Sequence, residues 1–134
     1  MPEFCPLMVK RFQQLQREIE RDRALADVQL VSVTLDPGFD TPAVLDAYAK
    51  AMGANSNRWR FVTGQAEEVA RLTQAFSIHI ERNGVLLDHT LATAILDTDG
   101  RVLEMWRGNG WTTADLTDVL RRQPGVTTAR AGDR

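Results

Sequence analysis

Cysteine is almost missing from this sequence: Cys5 is the single cysteine in 134 residues. One thiol closes no internal disulfide, forms no Cys-x-x-Cys redox pair and cannot build a four-cysteine zinc site. A basic excess is missing as well. Lys and Arg number 16 against 18 Asp and Glu, for a net charge of −2, which argues against a nucleic-acid partner. No apolar run approaches the roughly 20 residues of a membrane helix. The opening Met1-Pro2-Glu3-Phe4-Cys5 lacks the basic and apolar regions of a signal peptide, so the chain carries no targeting signal. There is no glycine-rich phosphate loop and no nucleophile elbow. Repeats and linkers are also lacking. Residues 1–122 therefore read as one domain, and residues 123–134, polar and aperiodic, as a flexible tail.

What is present is a regular alternation of helices and strands. Cys5-Pro6 sets proline at a first helical position, and Met8, Phe12, Leu15 and Ile19 follow as one apolar stripe. That helix fades between Arg23 and Ala26. Val28 to Leu35 is rich in β-branched residues and reads as a strand, with apolar residues on both faces predicting cover on both sides. Asp36-Pro37-Gly38 stops it. Asp40 or Thr41 caps a second helix with Pro42 in its first turn, buried through Val44, Leu45, Tyr48, Ala49 and Met52 and ended by Gly53. A short strand at Trp59, Phe61 and Val62 precedes a third helix, Ala66 to Phe76, with Val69, Leu72 and Phe76 inward. Asn83-Gly84 predicts a tight hairpin within Ile78 to Leu87. A second hairpin joins Leu91–Leu96 to Arg101–Trp106 through Asp97-Thr98-Asp99-Gly100, and Thr112 or Thr113 caps a last helix with Leu116, Val119 and Leu120 inward.

The order α-β-α-β-α-ββ-ββ-α describes an α/β sandwich with a mixed sheet. It has one irregularity. A right-handed βαβ unit starts on a strand that pairs with the next one, yet this sequence opens on a helix. It reads as an α/β domain lacking its first strand.

Few residues can carry chemistry. Cys5 stands at a helix start, where unpaired N–H groups and the positive end of the helix dipole favour the thiolate; the plainer alternative is a small buried apolar residue. His89, in Asp88-His89-Thr90, reads as a loop residue ahead of the strand that starts at Leu91, and is open to the roles of ligand, base or surface group. Wound as above, the fold would bring Cys5 and His89 to one edge of the sheet, where α/β sites usually sit. A thiolate with an imidazole suits copper better than magnesium or calcium. His79, between Ile78 and Ile80, should face solvent. Asp36, Asp40, Asp97 and Asp99 sit beside Pro, Thr or Gly as caps and turns, and Trp106 and Trp111 read as core.

Taken in order, Cys5-Pro6, Val31-Ser32-Val33-Thr34-Leu35-Asp36-Pro37, Asp40-Thr41-Pro42, Trp59-Arg60-Phe61 and Asp88-His89-Thr90 resemble the Sco/SenC family over about Cys5 to Leu120. The resemblance implies a thioredoxin-like three-layer sandwich whose first, central strand is lacking here. It also implies a copper site of two cysteines and a distant histidine. Cys5 matches the second cysteine, the one followed by proline, and His89 matches the histidine. The first cysteine would fall on Met1 in the common spacing, or two residues before it in a longer CP-x-P-x-F-CP version. The resemblance thus points to a parent shortened at its N-terminus. In that parent the domain lies in the periplasm, or is membrane-anchored and faces it.

By the same resemblance, the partners are the copper-receiving subunit of cytochrome c oxidase and thiol-disulfide proteins. The parent would deliver copper to the dinuclear centre or reduce its cysteines. With Cys5 and His89 alone, weak copper binding and no dithiol reductase activity are expected. Two other readings stay open. One is a one-cysteine peroxidase, although Pro2 stands where such enzymes place threonine. The other is a metal-free interaction module in which both residues are incidental.

Overall fold

The computed structural model describes residues 6–78, 80–83, 86–89 and 92–123, with the backbone alone for 80–83 and 86–89. Cys5, His79 and the tail beyond Gln123, each singled out by the sequence, lie outside what is described. The elements follow as α1 (Pro6–Arg21), a short 3-10 turn (Arg23–Leu25), β1 (Leu30–Val33), α2 (Pro42–Ala51), β2 (Trp59–Val62), α3 (Ala66–Ala75), β3 (Ile80–Asn83), β4 (Leu86–His89), β5 (Ala92–Leu96), β6 (Val102–Arg107) and α4 (Thr113–Arg122). This is the expected succession of helices and strands.

Local chemistry explains most boundaries. Thr41 Oγ1 accepts the Val44 N–H at the start of α2, so threonine, not Asp40, caps that helix. The left-handed backbone at Gly53 (φ 77°) ends it, as glycine does without a Cβ penalty. A reciprocal pair opens α4: Thr112 Oγ1 accepts the Asp115 N–H while an Asp115 carboxylate oxygen accepts the Thr112 N–H. In the β5–β6 turn, Asp97 Oδ1 accepts from the Asp99 and Arg101 amides and Gly100 supplies a φ of 86°.

Strands β1 and β2 run parallel, with Leu30 opposite Trp59 and Val33 opposite Val62. The hairpins β3–β4 and β5–β6 are antiparallel. The core gathers Val9, Leu15 and Ile19 of α1, Leu25, Leu30, Tyr48, Trp59 and Ile95, with Trp111 just ahead of α4 and Leu116, Val119 and Leu120 within it. Phe12 packs between two indoles, its ring centroid 5.9 Å from Trp59 and 6.1 Å from Trp111. Trp106 packs against this cluster and Trp111 is buried within it, as expected of core residues. Polar groups tie α1 to its neighbours: buried Gln16 donates to the Gly53 carbonyl and accepts the Asn55 amide. Arg121 pairs with Asp22 at 2.9 Å.

Three expectations need correction. The strand read over Val28–Leu35 is the shorter β1, and it is not covered on both sides: Leu30 is buried while Val31 is 51% exposed. Asn83 is not a turn residue but pairs with Leu86 in the ladder. His89 does not sit in a loop before a strand. It ends β4, opposite Ile80.

Candidate functional site

Helix α1 lies against the β1–β2 pair with a definite direction. Its C-terminal half reaches the segment that leads into β2: Gln16 bonds Gly53 and Asn55, and Asn55 Nδ2 donates to Glu20. The chain leaving α1 is held there too, since Arg58 donates to the Ala26 carbonyl. The first turn of α1 therefore points to the opposite rim, where the parallel strands end. In α/β sheets that is the rim where ligands bind.

This rim is organised by polar contacts. At the end of β1, buried Thr34 donates through Oγ1 to Asp40 Oδ2 at 2.5 Å and accepts the Asp36 amide at 3.0 Å. Asp40 is itself buried. The sequence read Asp40 as a cap or turn residue; the hydroxyl–carboxylate pair instead fixes the chain between β1 and α2. At the end of β2, the Thr63 hydroxyl is buried without a hydrogen-bond partner among the described residues.

The loop before α4 is anchored on α1. Arg11 donates to the Asn109 carbonyl, and its guanidinium carbon lies 5.3 Å from the centroid of the Trp111 ring, within the range of a cation–π contact. Trp111 Nε1 is buried with no acceptor among the described residues. These contacts join residues almost a chain length apart, so no local pattern announces them.

Cys5 immediately precedes Pro6, the first residue of α1, and lies outside the described residues. The backbone of His89 stands at the end of β4; its side chain is not described. The expected approach of thiol to imidazole thus rests on the sequence. Among the described residues, no group of three or more His, Cys, Asp or Glu side chains is placed to hold a metal ion. Nor, among those residues, is any helix long and apolar enough to cross a membrane.

The Asp22 carboxyl is held below the ordinary value of 3.8, first by the Ala24 amide and then by Arg121. Burial raises the Tyr48 phenol above 10.0. Both belong to the scaffold rather than to the rim.

The SCO1/SenC family model matches residues 1–123. This chain belongs to the SCO1/SenC family. It is 26% identical over 127 residues to the mitochondrial SCO2 homolog of Bos taurus, covering 90% of this chain and 46% of that protein. The chain thus spans about half the length of that curated relative. Two solved structures share its fold. The SCO1/SenC family lipoprotein of Bacillus anthracis str. Ames superposes with a TM-score of 0.77 at 23% identity, over 90% of this chain and 74% of that one. Arabidopsis thaliana ScoI, solved with copper bound, gives 0.75 at 20% identity, over 91% and 75%. The chain therefore has the thioredoxin-like α/β fold of these SCO1/SenC proteins.

Proposed function

We propose that this SCO1/SenC chain is a copper-binding metallochaperone domain, with copper as its cargo and Cys5 and His89 as ligands. The observation that carries the reading is the family match over residues 1–123, which spans both positions. ScoI of Arabidopsis thaliana has been solved with copper bound, which supports copper as the metal.

The chemistry of the two groups agrees. Cys5 directly precedes the first residue of α1 in the sequence, and the unpaired N–H groups and positive dipole end of a helix start favour a thiolate. Thiolate is a soft donor suited to copper(I), and imidazole completes a mixed set that also serves copper(II). With one cysteine the domain forms a mixed disulfide with a partner but no internal one. It acts as a carrier rather than as an enzyme, and binds copper weakly. The receiving partner in this reading is the copper-bearing subunit of cytochrome c oxidase. The protein works in the periplasm or anchored facing it.

Competition of the chain with a chromophoric copper(I) chelator tests the proposal. Cys5→Ser should abolish measurable copper(I) retention. His89→Ala should weaken retention by about tenfold or more, the loss of roughly 1.4 kcal/mol. A form with a second cysteine added ahead of Cys5 should bind at least about tenfold more tightly. Unchanged affinity in both Cys5→Ser and His89→Ala would refute the assignment.

A further inference from the structure

Helix α1 turns one continuous line of side chains to solvent. Leu7, Lys10, Gln14, Arg17 and Arg21 recur at spacings of three and four, so they share a helix face, and all of them are exposed. That face lies opposite the one formed by Val9, Leu15 and Ile19, which is buried in the core. It carries Lys10, Arg17 and Arg21 and no carboxylate. The glutamates of the helix lie on its flanks: Glu20 accepts from Asn55, and Glu18 pairs with Arg21 at 2.6 Å. Even so paired, the Arg21 side chain is 71% exposed. Among the described residues, no carboxylate pairs with Lys10 or Arg17.

The other described α-helices are not charged in this way. Helix α2 pairs exposed Asp46 with Lys50. Helix α3 sets Glu67 and Glu68 against Arg71, and α4 sets Asp115 and Asp118 against Arg121 and Arg122. The whole chain has a net charge of −2, so the positive stripe stands out against an acidic average. A field of one sign along one element selects partners of the opposite sign and speeds their approach. A lipid surface fits less well. Helices that lie on membranes insert an apolar face, and the apolar face of α1 is already packed against Trp59, Trp111 and the rest of the core.

We propose that the solvent face of α1 is a docking surface for a partner protein that presents an acidic strip. The proposal rests on the carrier reading and adds the chemistry of the partner. From Lys10 to Arg21 the helix rises about 16 Å at 1.5 Å per residue, which sets the length of the complementary strip. The stripe begins at Leu7, just after Cys5-Pro6. A partner laid along it has its leading end at the start of α1, beside the cysteine. The cations steer the approach, and Leu7 gives an apolar contact at that end.

An NMR titration of the 134-residue chain tests this with a defined probe. The probe is a helical peptide of about 16 residues with glutamates at spacings of three and four along one face, and its control has glutamine at the same places. The glutamate peptide should shift the amides between Leu7 and Arg21 in a saturable way. Its dissociation constant should rise about tenfold or more between about 20 and about 200 mM salt, as screening shortens the field. Lys10→Gln, Arg17→Gln and Arg21→Gln together should weaken binding about tenfold, while Arg71→Gln with Arg122→Gln should leave it unchanged. Equal binding of the glutamine peptide, shifts centred on another element, or no saturable shift would overturn the proposal. So would tighter binding to vesicles of anionic phosphatidylglycerol than to the peptide, which would make a lipid surface the occupant. The titration uses neither copper nor a reaction of Cys5, so a negative result refutes the docking surface alone.

Discussion

Trp59 donates its indole N–H to the hydroxyl of Ser32, at 3.0 Å, across the parallel β1–β2 pair. The indole is almost fully buried and needs an acceptor there. Ser32→Ala removes that acceptor without creating a large cavity. It should lower stability by about 1–3 kcal/mol, the range for leaving a buried donor unpaired. Urea unfolding followed by fluorescence would measure it. A loss below about 0.5 kcal/mol would mean that another acceptor replaces the hydroxyl.

Gln16 presents a buried amide that bridges α1 to the loop after α2. Gln16→Leu keeps the size of the side chain but strands the Gly53 carbonyl and the Asn55 amide. A loss of about 1–3 kcal/mol is expected. The exposed neighbour Gln14 is the control: Gln14→Leu should stay within about 0.5 kcal/mol of the parent.

The Asp22 carboxylate, which accepts the Ala24 amide and pairs with Arg121, makes stability depend on acid. The folded carboxyl titrates below 3.8, so the unfolded chain takes up its proton first as pH falls. The contribution is fully present above the ordinary aspartate range and disappears as pH drops through the folded value. Asp22→Asn should flatten that part of a melting-temperature profile recorded from pH 6 to pH 2.5. Parallel acid limbs for the two proteins would exclude the linkage.

Gly53 adopts φ 77° with open space where a Cβ would stand. Gly53→Ala therefore meets backbone strain and no clash. A cost of about 1–2 kcal/mol is expected from the left-handed conformation alone. Gly38, with equally open surroundings and no positive φ, should accept alanine at no cost or with a small gain. Thermal melts of the two variants should diverge in that direction.

The helices were legible in the sequence because each combines a one-sided apolar stripe with local start and stop chemistry. Thr41 and Pro42 open α2, Gly53 closes it, and Thr112 opens α4. The β5–β6 hairpin was legible through its Asp97–Gly100 turn. The strand ends were not. Val28 and Leu35 look like strand residues, but the parallel ladder of β1 runs from Leu30 to Val33. The offset of the first hairpin by one residue follows from pairing Asn83 with Leu86, which the Asn-Gly pattern does not specify. Gln16 gave no signal either, since hydropathy does not distinguish a buried bridging amide from a surface one. Of the site, the properties of Cys5 follow from its place before a helix. The role of His89 came from resemblance, because no local rule links a residue at a strand end to a helix start so far away in the chain.

The seating of Phe12 between Trp59 and Trp111 gives the protein a built-in optical gauge. Lifting the first helix off the sheet would wet two indoles at once and redden the emission. The colour of its own fluorescence then reports whether the helix that follows Cys5 is in its berth, with no label attached.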